Sequence, residues 1–318
     1  MLAFLISAIR LGMTFLFGST GETITEKSGH LNLGIPGVMC VGASCGCYAE
    51  YLYLSQMREM RITASPFLAI LIPIVATLAG GALMGLIFSF LTVSLRANQN
   101  VTGLALTTFG IGVSDYMISE TGPIYSKGSR YFTEPLPFAD ELGIVGEILF
   151  SHGVLIYLSI IIALLTSFVL NHTRIGLNLR SVGEDPAAAD AAGINVSLYR
   201  YSATCIGSAI AGLSGLSFIM DYLNGNWEYC IDAIGWLCIA LVIFTVWKPN
   251  LAIIGSILFG ALYIVSSYIT GISFAAKELF EMLPYVVTII VLVFTSARDS
   301  KNSQPPKSLG LPYFREER

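Results

Sequence analysis

The stretch from Pro66 to Leu95, PFLAILIPIVATLAGGALMGLIFSFLTVSL, contains no polar side chain larger than a hydroxyl. A hydrocarbon core about 30 Å thick is crossed by about 20 helical residues rising 1.5 Å each, so this segment alone is long enough to span a bilayer. In a second run, Phe150 to Leu170, His152 is the only group that can carry charge near neutral pH. Across the 318 residues, 54% hydrophobic and 12% charged side chains with a mean hydropathy of +0.72 place the chain among membrane proteins.

Reading apolar runs against breakers predicts an all-α, polytopic transmembrane helix bundle of about nine spans. They lie near residues 2–19, 31–53, 66–94, 100–119, 149–170, 201–220, 233–247, 251–270 and 279–297. Residues 1–297 form the transmembrane domain and residues 298–318 a cytoplasmic C-terminal tail. The first twenty residues lack a basic leading segment and a small-x-small cleavage site, so they read as a retained span. Arg10, inside that span, is expected to snorkel or to face the bundle interior.

With the N-terminus outside, the inner side holds eleven positive charges: Lys27, Arg96, Arg174, Arg180, Arg200, Lys248, Arg298, Lys301, Lys307, Arg315 and Arg318. The outer side holds five, Arg58, Arg61, Lys127, Arg130 and Lys277, so an N-out/C-in orientation is expected, with Arg58 and Arg61 running against it. The net charge is −4 and no Lys/Arg cluster precedes the tail, which argues against a nucleic-acid partner. Cys40, Cys45, Cys47, Cys205 and Cys238 lie in apolar segments without zinc-type spacing and Cys230 in an outer loop, so no metal or cofactor is expected. Small residues four apart, Gly81 and Gly85, Gly207 with Ala211 and Gly215, and Ser256 with Gly260, predict close helix approach. The aromatic residues Phe132, Tyr222, Trp227 and Tyr229 in outer loops read as an interfacial belt, ahead of a gate.

Two polar segments interrupt the apolar pattern. Ser19 to Gly37, STGETITEKSGHLNLGIPG, reads either as an ordinary cytoplasmic loop or as irregular backbone lining a solute path, with Asn32 facing that path in the second case. Gly29 and Gly34 have phosphate-loop spacing, but Ile35 and Pro36 stand where that motif needs lysine and a hydroxyl. The second segment, the inner loop 171–200, contains a complete short helix. Asp185 is an N-cap type, Pro186 suits the first position, Ala187 to Ala192 propagate, and Gly193 stops it. About two turns of alanine cannot hold together alone in water and lack large apolar anchors for a membrane surface, so the helix reads as a peg for another protein's groove.

Thr173 to Val196, TRIGLNLRSVGEDPAAADAAGINV, resembles the cytoplasmic coupling loop of ABC importer permeases in the family serving ribose, branched-chain amino acids and nucleosides. Ser28 to Ala43, Arg96 to Ser114 and Gly235 to Tyr263 are similar to other stretches of that family, and the ending LGLPYFREER resembles its nucleoside branch. The resemblance implies a multi-pass permease of the bacterial cytoplasmic membrane, surrounded by lipid, that is not itself an enzyme. It implies three partners: a cytoplasmic ATP-binding subunit, a second permease chain that the nucleoside branch suggests is a paralogue, and an extracytoplasmic solute-binding protein. The ATP-binding subunit is expected at Arg180, Gly183, Asp185, Pro186, Ala188, Gly193 and Ile194. One departure is Pro36, where relatives commonly carry an acidic residue.

The chain holds no complete G-x-x-x-x-G-K-[ST], consistent with ATP use by a separate subunit. Asn32, Asn98, Asn100, Thr102, Thr107 and Thr108 offer hydroxyl and amide groups along the expected path and suit a neutral solute rich in hydrogen bonds. Nucleosides rank first, with sugars and riboflavin-like compounds as alternatives. An ion-coupled transporter should carry ionisable groups at mid-membrane, yet Asp115, Asp232 and Glu281 fall near span ends. An intramembrane hydrolase would rest on Gly42-Ala43-Ser44-Cys45-Gly46, which fits G-x-S-x-G but lies in a small-residue span, and nothing fixes His30, His152 or His172 beside Ser44.

Overall fold

The computed structural model describes residues 2–135, 143–228, 231–269, 271, 273–297 and 304–314. Fourteen α-helices follow one another among them: α1 Leu2–Lys27, α2 Ile35–Glu59, α3 Pro66–Ser89, α4 Gln99–Thr121, α5 Ser126–Thr133, α6 Gly143–Leu149 and α7 Val154–His172, then α8 Arg174–Glu184, α9 Pro186–Ala191, α10 Val196–Ser217, α11 Ile231–Phe244, α12 Pro249–Tyr268, α13 Phe274–Glu281 and α14 Leu283–Ala297. α3 and α10 each run on into a π-helical turn, Phe90–Ser94 and Phe218–Tyr222. The expected all-α class is observed, and the one β contact among the described residues is an isolated bridge between Ile124 and Asn226.

Six helices are long and apolar enough to cross a membrane: α1, α3 with its π turn, α4, α7, α10 with its π turn, and α12. Two shorter apolar stretches, Ala233–Phe244 and Leu279–Phe294, lie in α11 and in α13–α14. α2 has the length but is richer in small and polar residues, and its first half is buried from Ile35 to Ser44.

Lipid tails are as apolar as leucine, so helices in a bilayer associate through close fit rather than through escape from water. The chain supplies that fit at the small residues expected from the sequence. A Cβ on Gly207 would collide with the Gly21 carbonyl of α1, one on Gly215 with the Met39 carbonyl of α2, and one on Gly81 with the Ser208 carbonyl of α10. Around these crossings α1, α2, α10 and α11 enclose one core that includes Phe15, Phe17, Met39, Leu213, Ile234 and Leu237. A second cluster joins α1 to α7 and α12 through Met13, Leu16, Ile156, Ala163 and Ala252.

The structure corrects three expectations. α1 does not end near residue 19 but continues to Lys27, because Gly21 meets α10 at backbone distance and the surrounding helices bury Thr23, Thr25, Glu22 and Glu26. Only residues 28–34 are irregular. Gly29, at φ +84°, turns the chain out of α1, and Pro36 sits in the first turn of α2, where a missing N–H is harmless. The loop 171–200 contains α8 as well as the short helix, with Thr173 Oγ1 accepting from the Gly176 N–H at 3.2 Å as its N-cap. Phe132 and Trp227 are buried, not placed in an interfacial belt, while Tyr229 and Cys230 lie outside the described residues.

Charged groups collect at the two ends. Lys27, Arg180, Glu184 and Lys248 line a cavity at the α8 end. Glu50, Arg58, Glu59 and Lys127 line another at the α5 end.

Candidate coupling and translocation site

The short helix α9 is built as its sequence directs. The Asp185 carboxylate accepts from the Ala188 N–H at 2.9 Å, Pro186 occupies the first turn, and Gly193 closes the helix at φ +81°. One face is buried: Ala189 packs with Val182 and Val196, flanked by Ile194, Tyr199 and Tyr313. The other face, Ala188, Ala191, Ala192 and Gly193, is exposed, and a Cβ on Gly193 would meet no atom within 4 Å. The chain therefore supplies half of the docking surface that two turns of alanine require and leaves the other half open. Of the other residues expected in coupling, Arg180 and Ile194 are half-buried, whereas Gly183 is buried where a Cβ would collide with the Lys27 carbonyl.

The tail adds Tyr313 to the inner wall that Val182 and Val196 give α9. Residues 304–314 cross the α8 end of the bundle as a strap, whereas 298–303 and 315–318 lie outside the described residues. The Ser308 hydroxyl donates to the Gly183 carbonyl at 2.6 Å and its N–H to the same carbonyl at 3.0 Å. The Gly310 N–H donates to the Gly29 carbonyl at 3.2 Å. The Leu311 carbonyl accepts from Gln99 Nε2 and from Arg200 Nη1, both at 3.4 Å, and Tyr313 donates to Asp190 Oδ2 at 2.9 Å. One segment thus ties the ends of α1 and α8, the starts of α4 and α10, and α9 itself. The sequence reads here only as a cytoplasmic C-terminal tail, and hydropathy gives no sign of its contacts.

The expected pathway residues divide. Asn32 is buried, with Oδ1 accepting from the Gly34 N–H at 2.9 Å and Nδ2 without a partner. Thr107 lies beside it and donates to the Leu33 carbonyl at 3.0 Å, and Thr102 is buried on the same helix. Loop 28–34 and α4 meet closely here, since a Cβ on Gly103 would collide with the Leu33 and Gly34 amides. Asn98, Asn100 and Thr108 are exposed and are not brought to Asn32. Asn98 caps α4 by accepting from the Val101 N–H at 3.1 Å, and Thr108 bonds the Leu104 carbonyl. Thr108 begins an exposed stripe of small and polar side chains on α4 that continues through Gly112, Asp115 and Ser119.

Sequence reasoning missed a buried polar network. Glu22 Oε1 accepts from the Asn32 N–H at 3.1 Å, Glu26 accepts from the Trp247 indole, and His30 Nδ1 faces Thr204 Oγ1 at 3.2 Å. Glu50 and Asp221 are also buried. The premise that the spans lack interior ionisable groups therefore does not hold, because it placed Glu22 and Glu26 in a loop. The available signal was helical spacing: Glu22 and Glu26 are four apart, on one face and in register with Gly18. Arg10 faces the interior, pairing with Asp221 Oδ1 at 3.1 Å and Asn224 Oδ1 at 3.2 Å.

The G-x-S-x-G stretch carries no elbow. Ser44 lies mid-helix, its hydroxyl donating to the Val41 carbonyl, and a Cβ on Gly42 would meet the Gly212 backbone. His152 bonds the Ile148 carbonyl and His30 faces Thr204, so neither serves Ser44.

Comparison with known proteins agrees with this geometry. Residues 4–292 match the family described as branched-chain amino acid transport system, permease component. The chain is 32% identical over 314 residues to the nucleoside ABC transporter permease protein NupC of Lactococcus lactis, covering 94% of this chain and 93% of the relative. It is 29% identical to the guanosine ABC transporter permease protein NupQ of Bacillus subtilis, covering 94% and 92%. It is 28% identical to the putative glucose ABC transporter permease protein TsgC13 of Haloferax volcanii, covering 98% and 97%. With apolar helices of membrane-spanning length and this match along nearly its whole length, the chain belongs to the ABC importer permease family of the branched-chain amino acid type and is a multi-pass protein of the cytoplasmic membrane.

Proposed function

We propose that this chain is the permease subunit of an ATP-driven importer that moves a nucleoside across the cytoplasmic membrane. The observation that carries the reading is α9, a fully capped helix held from behind by the strap and presenting Ala188, Ala191, Ala192 and Gly193 outward. A groove on an ATP-binding subunit receives that face. ATP binding and hydrolysis occur in the partner and draw the coupling helices together. The orientation is N-out/C-in with nine spans, counting α2 and the shorter α11 and α14 with the six long apolar helices. This reading sets the strap, α8 and α9 in the cytoplasm with the inner positive charges.

The solute path follows the exposed stripe of α4 from Thr108 to Ser119, with Asn32 and Thr107 at its inner end and a second permease chain, a paralogue, closing the other side. The amide and hydroxyl groups of Asn32, Thr107, Thr108 and Ser119 suit a neutral solute, to which Asp115 offers one carboxylate acceptor. A nucleotide would bring phosphates that need fixed positive groups. The nucleoside and guanosine names of NupC and NupQ support the first choice, and the glucose name of TsgC13 supports sugars as the second reading. An extracytoplasmic solute-binding protein delivers the ligand.

Ala188→Trp fills the open face without touching the buried one, and Gly193→Val strains a left-handed stop. Both variants are expected to insert normally and to lose transport and solute-stimulated ATP hydrolysis in reconstituted vesicles. Normal transport by Ala188→Trp would remove the docking assignment. Calorimetry on the solute-binding protein encoded beside this chain tests the ligand. Micromolar or tighter nucleoside binding supports the reading, and binding only of a sugar moves the assignment to the second one.

A further inference from the structure

A cavity of about 430 Å³ opens behind the C-terminal end of α9, lined by Arg96, Asn195, Val196, Ser197, Arg200 and Tyr313. Its wall carries two guanidinium groups against one carboxylate. Arg200 is 2% exposed, its Nη1 makes one long bond to the Leu311 carbonyl, and its Nε and Nη2 have no hydrogen-bond partner. The one ion pair among the described residues is Arg10 with Asp221, so no described carboxylate pairs with Arg200. Asp190 is the carboxylate on the cavity wall, and it accepts from Tyr313. Arg96 is held in left-handed backbone at φ +57°, with its guanidinium over the Phe314 ring at 4.8 Å.

A buried carboxylate can take a proton and become neutral, whereas a guanidinium stays charged in a protein. An unpaired buried guanidinium costs several kcal/mol, which a bound anion would offset. The backbone points to the same class of ligand. The Asn195 side chain accepts from the Leu198 N–H at 3.0 Å, leaving the first-turn N–H groups of Val196 and Ser197 without an intrahelical acceptor at the positive end of a 22-residue helix.

We propose that this cavity binds a phosphate-class oxyanion, held by Arg200 and Arg96 and by the first turn of α10. Two sources carry that chemistry, a phospholipid headgroup or a free phosphate-bearing solute. The occupant lies against Gly193 and Ile194, so it stiffens the stop of α9 from behind. Binding itself does not depend on the transport reading, while any effect on ATPase docking does.

The test uses the full chain, purified in phospholipid-free detergent and separately in nanodiscs of phosphatidylcholine with or without phosphatidylglycerol. Thermal melting is followed against inorganic phosphate in detergent, and lipid retention by native mass spectrometry in nanodiscs. Saturable stabilisation by phosphate in detergent identifies a free anion as occupant, and selective retention of phosphatidylglycerol identifies a headgroup. In either case Arg200→Gln and Arg96→Gln are each expected to weaken binding on the order of tenfold. Arg96 is exposed, so its variant folds whatever becomes of Arg200→Gln. Absence of both responses, or responses that neither variant alters, would overturn the proposal.

Discussion

Arg10 and Arg200 sit in bundle helices at opposite ends of the molecule, and the chain treats them differently. Arg10, 24% exposed, has a carboxylate at 3.1 Å, the Asp221 carbonyl and the Asn224 amide oxygen. Arg200 is buried more deeply and has one long contact to a carbonyl. At the α5 end Asp221, on the π-helical turn after α10, pairs with Arg10, and Tyr125 donates its N–H to the Gly225 carbonyl nearby. The buried Glu50 carboxylate beside α5 has no hydrogen-bond partner. The α8 end is left chemically incomplete, with an open face on α9 and an unpaired cation behind it. Buried charge is thus left without a partner at both ends, an acid at Glu50 near α5 and a base at Arg200 near α8.

The most drastic way to break this comparison is to find both ends on the same side. In a cysteine-free background, impermeant maleimide added outside intact cells is expected to label cysteine at Ser126 or Asn224 and to leave cysteine at Ser181 or Ser303 untouched. Ser126 and Asn224 are exposed at the α5 end, and Ser303 lies outside the described residues. Labelling at Ser181 reverses the orientation.

Next in size is Asp221→Ala, which strands Arg10. Breaking a buried pair costs about 3 kcal/mol, taken at the low end because Arg10 is partly exposed. A lower melting midpoint is expected, with much of the loss recovered in the double variant Arg10→Met/Asp221→Leu. If both variants melt alike, the pair does not hold this end together.

The strap gives smaller effects. Ser308→Ala removes hydroxyl bonds to the Val182 and Gly183 carbonyls, about 1 kcal/mol of local stability. It is expected to speed maleimide reaction at a cysteine replacing the buried Ala189 while leaving the global melting midpoint nearly unchanged. Smallest is Asn195→Ala. Loss of its cap costs about 1 kcal/mol at the start of α10 and should appear as faster hydrogen exchange at Leu198 alone.

Much of this architecture is legible in the sequence because hydropathy and helix signals act locally. The uncharged run at Pro66 forms α3, and the Asp185-Pro186…Gly193 pattern forms α9 with each cap in its expected role. The errors have distinct physical causes. Glu22 and Glu26 read as loop because polarity was taken to mean water, yet both lie in α1 inside the bundle, where the Asn32 N–H and the Trp247 indole donate to them. α8 escaped because Gly176 and Gly183 break its pattern, although each is a contact point with α7 or α1. The strap was illegible because it is held by backbone carbonyls of distant segments, and no periodicity encodes such contacts. Of the expected site, the coupling half follows from local capping. In the pathway half Asn32 meets Thr107 and Asn98 does not, a distinction that depends on which face of α4 meets loop 28–34.

The strap also sets an order of events during synthesis. Residues 304–314 leave the ribosome after α14, so Val182, Ala189 and Val196 wait for Tyr313 while every membrane segment is already made. A chain stalled or clipped before residue 304 would carry all fourteen helices and still lack Tyr313 and its bond to Asp190 behind α9. The tail's contribution to the packing of α9 is therefore added at the end of biogenesis, after the last helix of the bundle has been made.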